Sequence, residues 1–252
     1  MRIINFCAEG LEAAAQKGFF EWATRQDADF ICVQDLRVQE YDIKNDACFA
    51  SPYNAYFFDA VEKNTNGVAI YCRELPKAIM TGLGFGEFDV DGLYVQADFE
   101  RYSVGSFLAP YAAPGDAQAL ERKIRFYDQF LGHLSKVRNK RREYILTGNW
   151  NIAFENADAQ NPQEIAGFLE EERDLLGQLY DELGYADAFR LADTDDDEYT
   201  WWPEGERDLN GWRVDTQVVS EGLRNTVEQA AVYRSQEFSN HAPVIIDYEL
   251  EF

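Results

Sequence analysis

Glu143-Tyr144-Ile145-Leu146-Thr147-Gly148-Asn149-Trp150-Asn151 is the stretch on which the fold turns. A run of strand formers reaches a glycine and then presents amides at alternate positions. Alternation along an extended chain puts Asn149 and Asn151 on one side of the strand end. In open α/β sheets, sites are built at that end. A phosphodiester hydrolase would want a carboxylate there to take a proton or hold a metal, and this chain offers amides. Just upstream, residues 116–137 carry Leu120, Ile124, Tyr127, Leu131 and Leu134 at helical spacing, which predicts a helix with one core-facing stripe.

Further upstream, residues 93–99 and 103–108 form an expected antiparallel pair around Glu100-Arg101. Residues 2–7 read as a first strand and 11–26 as loosely helical. The run from Ala28 to Val33 is apolar almost throughout, as suits a strand covered on both faces. Residues 67–72 are a further strand, with a variable segment before it. Downstream, 164–183 read as helical, the acidic run 193–198 as a solvated loop, and 199–203, 212–215 and 242–248 as the last strands. No repeat or composition break divides the chain, so residues 1–252 are expected to form one domain.

The bulk numbers narrow the function. A formal charge of −23 repels nucleic-acid phosphates at long range, so duplex DNA binding should be weak or nil, and contact with RNA needs a local cationic patch or a partner. No stretch reaches the roughly 20 apolar residues that span a bilayer. The N-terminus lacks the apolar core of a signal peptide, which predicts a cytoplasmic protein without membrane contact. Cys7, Cys32, Cys48 and Cys72 show no CxxC spacing and are expected to be buried free thiols. Two histidines exclude a His-rich zinc site.

The order of signals resembles the exonuclease III branch of the endonuclease/exonuclease/phosphatase superfamily. The resemblance rests on the first strand running into Gly10-Leu11, on Ala28 to Asp35 and on Gly67-Val68-Ala69-Ile70. It continues through Gly148 to Asn151, Tyr199-Thr200-Trp201-Trp202, Gly211 to Asp215 and Ser239 to Pro243. It implies an α/β fold, a four-layer α/β/β/α sandwich of the DNase I-like kind, with two mixed sheets face to face and helices outside. It also implies metal-assisted phosphodiester hydrolysis, with a Mg²⁺-holding carboxylate, an aspartate handling the attacking water, and an Asp-His pair.

Several positions depart from that pattern. Cys7 stands where the family has a hard amide, and Asp35 is a shortened version of the metal-holding Glu. Asn149 replaces the water-handling Asp, and Asn240 replaces the Asp before the final histidine. The expected tyrosine after residues 103–108 gives way to Leu108 or Pro110, with Tyr111 shifted from the register. Asn151, Asp215 and His241 are retained. Asn149 cannot act as general base, a loss worth about 10²–10⁴ in rate. Asn240 is expected to leave His241 without an anionic partner. On this reading no residue is catalytically active, Asp35 is at most a weak metal ligand, and no cofactor is required. The rival reading is a genuine Mg²⁺-dependent exonuclease III or AP endonuclease, and a third is a pure protein-interaction module.

A narrower resemblance, to the catabolite repression control branch of the superfamily, is carried by Gln34-Asp35-Leu36-Arg37, Gly82 to Phe85, Leu134 to Tyr144, Leu183 to Ala188 and Phe238 to Pro243. It implies translational repression together with the RNA chaperone Hfq on A-rich mRNA sites, without nuclease activity. Lys136, Arg138, Lys140, Arg141 and Arg142 place five cations in seven residues, an expected anchor for RNA phosphates or the partner's acidic rim. The plainer account is that cations suit a helix C-terminus. Lys123, Arg224 and Arg234 are candidates to extend the patch. Trp150, Trp201 and Trp202 are candidates to stack on bases or to pack in the core.

Overall fold

Twelve strands are described in a computed structural model that covers residues 1–138, 142–192 and 198–250. They are β1 (Arg2–Cys7), β2 (Phe30–Gln34), β3 (Asn54–Phe58), β4 (Val68–Cys72), β5 (Ala78–Thr81) and β6 (Tyr94–Asp98). The remainder are β7 (Tyr102–Leu108), β8 (Glu143–Asn149), β9 (Ala186–Asp187), β10 (Asp215–Val219), β11 (Val227–Val232) and β12 (Val244–Tyr248). Two six-stranded sheets result, ordered β11-β12-β1-β2-β4-β3 and β5-β6-β7-β8-β10-β9. Both are mixed, since β1 runs parallel to β2 and β7 to β8, while the other pairs are antiparallel.

Period-two patterning explains why the sheets stack. Along β1 and β2, Ile3, Phe30 and Cys32 enter the core between the sheets, while Ile4, Phe6, Ile31 and Val33 face the opposite way. The outward set packs under the short helices α1 (Leu11–Gln16) and α2 (Phe19–Ala23). On the second sheet, Phe107 and Trp150 meet Phe130 of α3 (Ala117–Val137), which stacks on Phe126. These are the four expected layers. Polar pins cross the sheet interface: Asn5 Nδ2 donates to the Gly148 carbonyl at 3.1 Å, and Gln34 Nε2 to Ser106 Oγ at 2.9 Å. No helix among the described residues is long and apolar enough to cross a membrane.

The structure corrects several element boundaries. The helical reading of 11–26 splits at Gly18, whose left-handed φ of 87° breaks the turn. The helix expected over 164–183 begins only at Glu170; α4 (Glu170–Gly177) then continues as a wider turn through Gln178–Glu182. Residues 199–203 and 212–214 are not strands. Trp201 makes isolated bridges to Trp212 and His241, and β10 starts at Asp215. Residues 193–197, most of the acidic run, lie outside the described residues. All four cysteines are free and buried, as expected.

Lys123 does not extend the cationic patch. It is 1% exposed, and its ammonium donates to Glu172 Oε1 and to the Asn151 carbonyl, both at 2.5 Å. Glu172, 0% exposed, also accepts the Gly167 and Leu169 amides. Removing one member of such a pair leaves the other charged and buried. Lys123→Met is therefore expected to destabilise the fold by about 3–5 kcal/mol, read by urea denaturation. A loss below about 1 kcal/mol, the range of an exposed pair, would show that Glu172 finds water instead.

Candidate active site

The ends of β1, β2, β7 and β8 and the entries to β10 and β12 meet at one edge of the sandwich. Parallel pairing of β7 with β8 sets Leu108 beside Asn149, and antiparallel pairing of β10 with β8 sets Asp215 opposite Asn149. Gly148 is required because a Cβ there would lie 2.1 Å from the Phe107 carbonyl oxygen. A cavity of about 430 Å³ opens here, lined by Cys7, Asp35, Asn149, Asn151, Trp201 and His241 among others. Six non-glycine residues on its wall, Glu9, Asp35, Arg37, Asn64, Asn66 and Asn151, hold positive φ angles between 40° and 61°. Such conformations cost on the order of 1–3 kcal/mol each and cluster at functional sites.

Asp215 and His241 form the pair at the back of the cavity. His241 Nδ1 lies 2.7 Å from Asp215 Oδ2, and that oxygen also accepts the Thr200 hydroxyl at 2.8 Å. Burial opposes a charge on His241; Asp215 outweighs it and, helped by Cys7, raises the imidazole well above its ordinary pKa. The ring stacks on Trp201 with centroids 5.8 Å apart. The expected loss of the anionic partner is thus corrected. Asn240 is exposed, and its backbone N–H donates to Glu9 Oε2 at 2.9 Å, while Asp215 supplies the anion. Neighbours in an extended segment point to opposite sides, so the residue preceding His241 is poorly placed to pair with its ring.

The two amides have different tasks. Asn151 Nδ2 donates to the Ala109 carbonyl at 2.7 Å and pins the loop after β7. Asn149 Oδ1 accepts the Asn151 N–H at 2.9 Å, closing the turn, while Asn149 Nδ2 points at Cys7 Sγ, 3.6 Å away. Cys7 is 2% exposed, and burial pushes its thiol up against the opposing pull of His241.

Asp35 sits at the rim, where Arg37 occupies both its oxygens, with Nε to Oδ1 at 3.2 Å and Nη2 to Oδ2 at 2.7 Å. Arg37, Glu9 and the 64–66 segment are not among the candidate site residues of the sequence; Arg37 appears only within the Gln34–Arg37 motif, and Glu9 and Asn66 only beside Gly10 and Gly67. The donor set does not fit the Mg²⁺ that the resemblance implies. Mg²⁺ demands oxygen ligands in near-octahedral geometry. Here the rim carboxylate is bound to a guanidinium, Glu9 Oε2 accepts the Asn240 amide, and the buried neighbour is a thiol.

The cationic segment and the tryptophans separate. Lys136 and Arg138 are exposed, although Arg138 Nη1 donates to the Glu182 carbonyl at 2.6 Å. Arg142 is paired with Asp98 at 2.6 Å, and Lys140 and Arg141 lie outside the described residues. Trp150 and Trp202 are each 1% exposed and belong to the core. Trp201 reaches the cavity wall.

A model of the Endonuclease/Exonuclease/phosphatase family matches residues 6–236. The exodeoxyribonuclease of Bacillus subtilis is 29% identical over 252 residues, covering 97% of this chain and 98% of that protein. The DNA-(apurinic or apyrimidinic site) endonuclease of Dictyostelium discoideum is 28% identical, covering 99% of this chain and 71% of that protein. An AP endonuclease from Archaeoglobus fulgidus shares the fold at a TM-score of 0.89 and 21% identity, over 99% of this chain and 100% of the other. The two mixed sheets, the strand-end cavity and a match over most of the sequence agree: the chain belongs to the endonuclease/exonuclease/phosphatase family.

Proposed function

We propose that this protein uses a nuclease scaffold to bind rather than to cut, acting in the cytoplasm as a post-transcriptional repressor on A-rich mRNA together with the RNA chaperone Hfq. One observation carries the non-hydrolytic half of this reading: an amide, Asn149, occupies the turn where a general base is needed, and it is turned toward the Cys7 thiol. Arg37 on Asp35 supports it, because a guanidinium already neutralises the rim carboxylate. The RNA and chaperone half rests on the resemblance to the catabolite repression control branch and on the exposed Lys136 and Arg138 at the end of α3.

A second reading has its own support. The relatives are named as nucleases and align over nearly the whole chain, and the Asp215–His241 pair is geometrically intact. These favour a Mg²⁺-dependent exonuclease III or AP endonuclease.

Assembly on RNA tests the first reading. Chain, chaperone and an A-rich RNA are expected to form a ternary complex resolved by native electrophoresis. Replacing Arg138, Arg141 and Arg142 together by alanine is expected to weaken it by tenfold or more, about 1.4 kcal/mol for three charged contacts. An unchanged complex would remove the patch from the reading. Cleavage of abasic duplex that disappears in Asp35→Ala would establish the second reading.

A further inference from the structure

Cys7, Asp215 and His241 bring a sulfur, a carboxylate oxygen and a ring nitrogen within 4.8 Å of one another, all buried. We propose that this trio is a binding site for a thiophilic divalent cation, Zn²⁺, with a fourth coordination position open on the cavity.

Donor chemistry selects the metal. Zn²⁺ takes Cys, His and carboxylate ligands in tetrahedral geometry at about 2.0–2.3 Å, which sets ligand atoms roughly 3.3–3.7 Å apart. To reach that spacing His241 Nδ1 and Asp215 Oδ2, now 2.7 Å apart, must part by at least about 0.6 Å as Zn²⁺ replaces the proton between them, and any pair near the 4.8 Å limit must draw in by about 1.1–1.5 Å. Thiolate favours Zn²⁺, whereas Mg²⁺ favours oxygen ligands and retained water. Three protein ligands with one open position is the arrangement of catalytic rather than structural zinc.

A second observation points the same way. Asp215 is 1% exposed, and its Oδ1 is buried without a hydrogen-bond partner while Oδ2 takes both His241 and Thr200. An orphaned carboxylate oxygen at such depth costs free energy unless something cationic meets it. Asn149 Nδ2, aimed at Cys7 Sγ, is a ready hydrogen-bond donor to a metal-bound thiolate. The scarcity of histidine excludes a His-rich site but not this mixed one, whose ligands come from β1, β10 and the segment before β12. The proposal goes beyond the repressor reading and does not depend on it, since metal binding is measured without RNA or DNA.

The test uses the full chain, treated with chelator and then titrated with Co²⁺ as a spectroscopic stand-in for Zn²⁺. One equivalent is expected to bind, giving thiolate-to-cobalt charge-transfer absorption in the near ultraviolet that Zn²⁺ bleaches. Cys7→Asn is expected to abolish the band, and Cys48→Ser to keep it. Zn²⁺ at a hundredfold its dissociation constant is expected to raise the melting temperature by on the order of 5–10 °C, and equimolar Mg²⁺ by none of this. If Cys7→Asn fails to fold, the wild type still decides the matter, because Zn²⁺ must protect Cys7 from iodoacetamide as read by peptide mass spectrometry. No band in the wild type, a band that survives Cys7→Asn, equal stabilisation by Mg²⁺, or unchanged Cys7 alkylation would each overturn the proposal.

Discussion

Incubated with an abasic-site duplex and Mg²⁺, the purified chain is expected to cleave on the order of 10²–10⁴ more slowly than the Dictyostelium endonuclease assayed beside it. The magnitude follows from the base alone. Water must lose a proton as it attacks phosphorus, and the Asn149 amide has no lone pair that accepts one at neutral pH. The intact Asp215–His241 pair does not compensate, because Asp215 raises the imidazole well above its ordinary pKa and so favours the protonated ring, which has no free lone pair for the water's proton. Two further features act in the same direction: Arg37 holds both oxygens of Asp35, and the tyrosine that the resemblance implies gives way to Leu108, which lines the cavity, or Pro110. A single Asn149→Asp exchange is therefore expected to stay near background, since it returns a base without freeing Asp35. Cleavage at the rate of the comparison enzyme, lost in Asp35→Ala, would show that Arg37 yields its carboxylate to the metal and that another acid serves as base.

How much of this was legible in the sequence depends on burial and range. Strands β1, β2, β4, β7 and β8 are buried throughout or nearly so and read as apolar runs. α3 announces itself by periodicity, and the structure adds its cap, Asp116, whose side chain accepts the Ala119 amide. The edge strands β3, β5 and β11 escaped notice because only half-buried or exposed residues make them. Their pairing is supplied by neighbours such as β4, β6 and β12, and no local pattern records it. The tryptophan pair Trp201 and Trp212 reads as strand because aromatics favour strands, yet isolated bridges to each other, to Ala159 and to His241 take the place of a ladder.

Site residues follow the same rule. Motif order named Cys7, Asp35, Asn149, Asn151 and His241, which line one cavity, and Asp215, which sits behind His241. Motif order could not say who pairs with whom. Asn240 adjoins His241 in sequence, but the anion that charges the ring comes from Asp215, 26 residues away. Arg37 on Asp35 is a local contact that positive φ angles at both residues make possible, and neither residue type announces such a conformation. The cavity wall carries positive φ angles at Glu9, Asp35, Arg37, Asn64, Asn66 and Asn151, conformations that cluster where a ligand is held.

Replacing Arg213 by methionine is expected to destabilise the fold by about 3–5 kcal/mol, the range for uncovering a buried charge. Its guanidinium, 6% exposed as a residue, donates from Nε to Asp158 Oδ1 at 2.7 Å and from Nη1 to Asp187 Oδ2 at 2.6 Å. Arg190 shares Asp158, so one acid keeps a partial partner while Asp187 loses its cation. The segment that Arg213 anchors runs through Val214 to Asp215, so the same loss should loosen the Asp215–His241 pair. Acid gives a second readout with a definite sign. Burial opposes ionisation of Asp158, but Arg213 outweighs it and holds the carboxyl below the usual carboxylate range. A group depressed in the folded state stabilises above its unfolded pKa, about 3.9, and that contribution fades as pH falls through the lower folded value. Without Arg213, burial raises Asp158 instead, so the deficit of the variant is expected to shrink as the pH is lowered from 7 toward 4. Urea midpoints of both proteins across that range measure it. A deficit that stays constant with pH would mean that Arg213 contributes packing over Phe189, whose ring lies 5.5 Å beneath it, rather than charge.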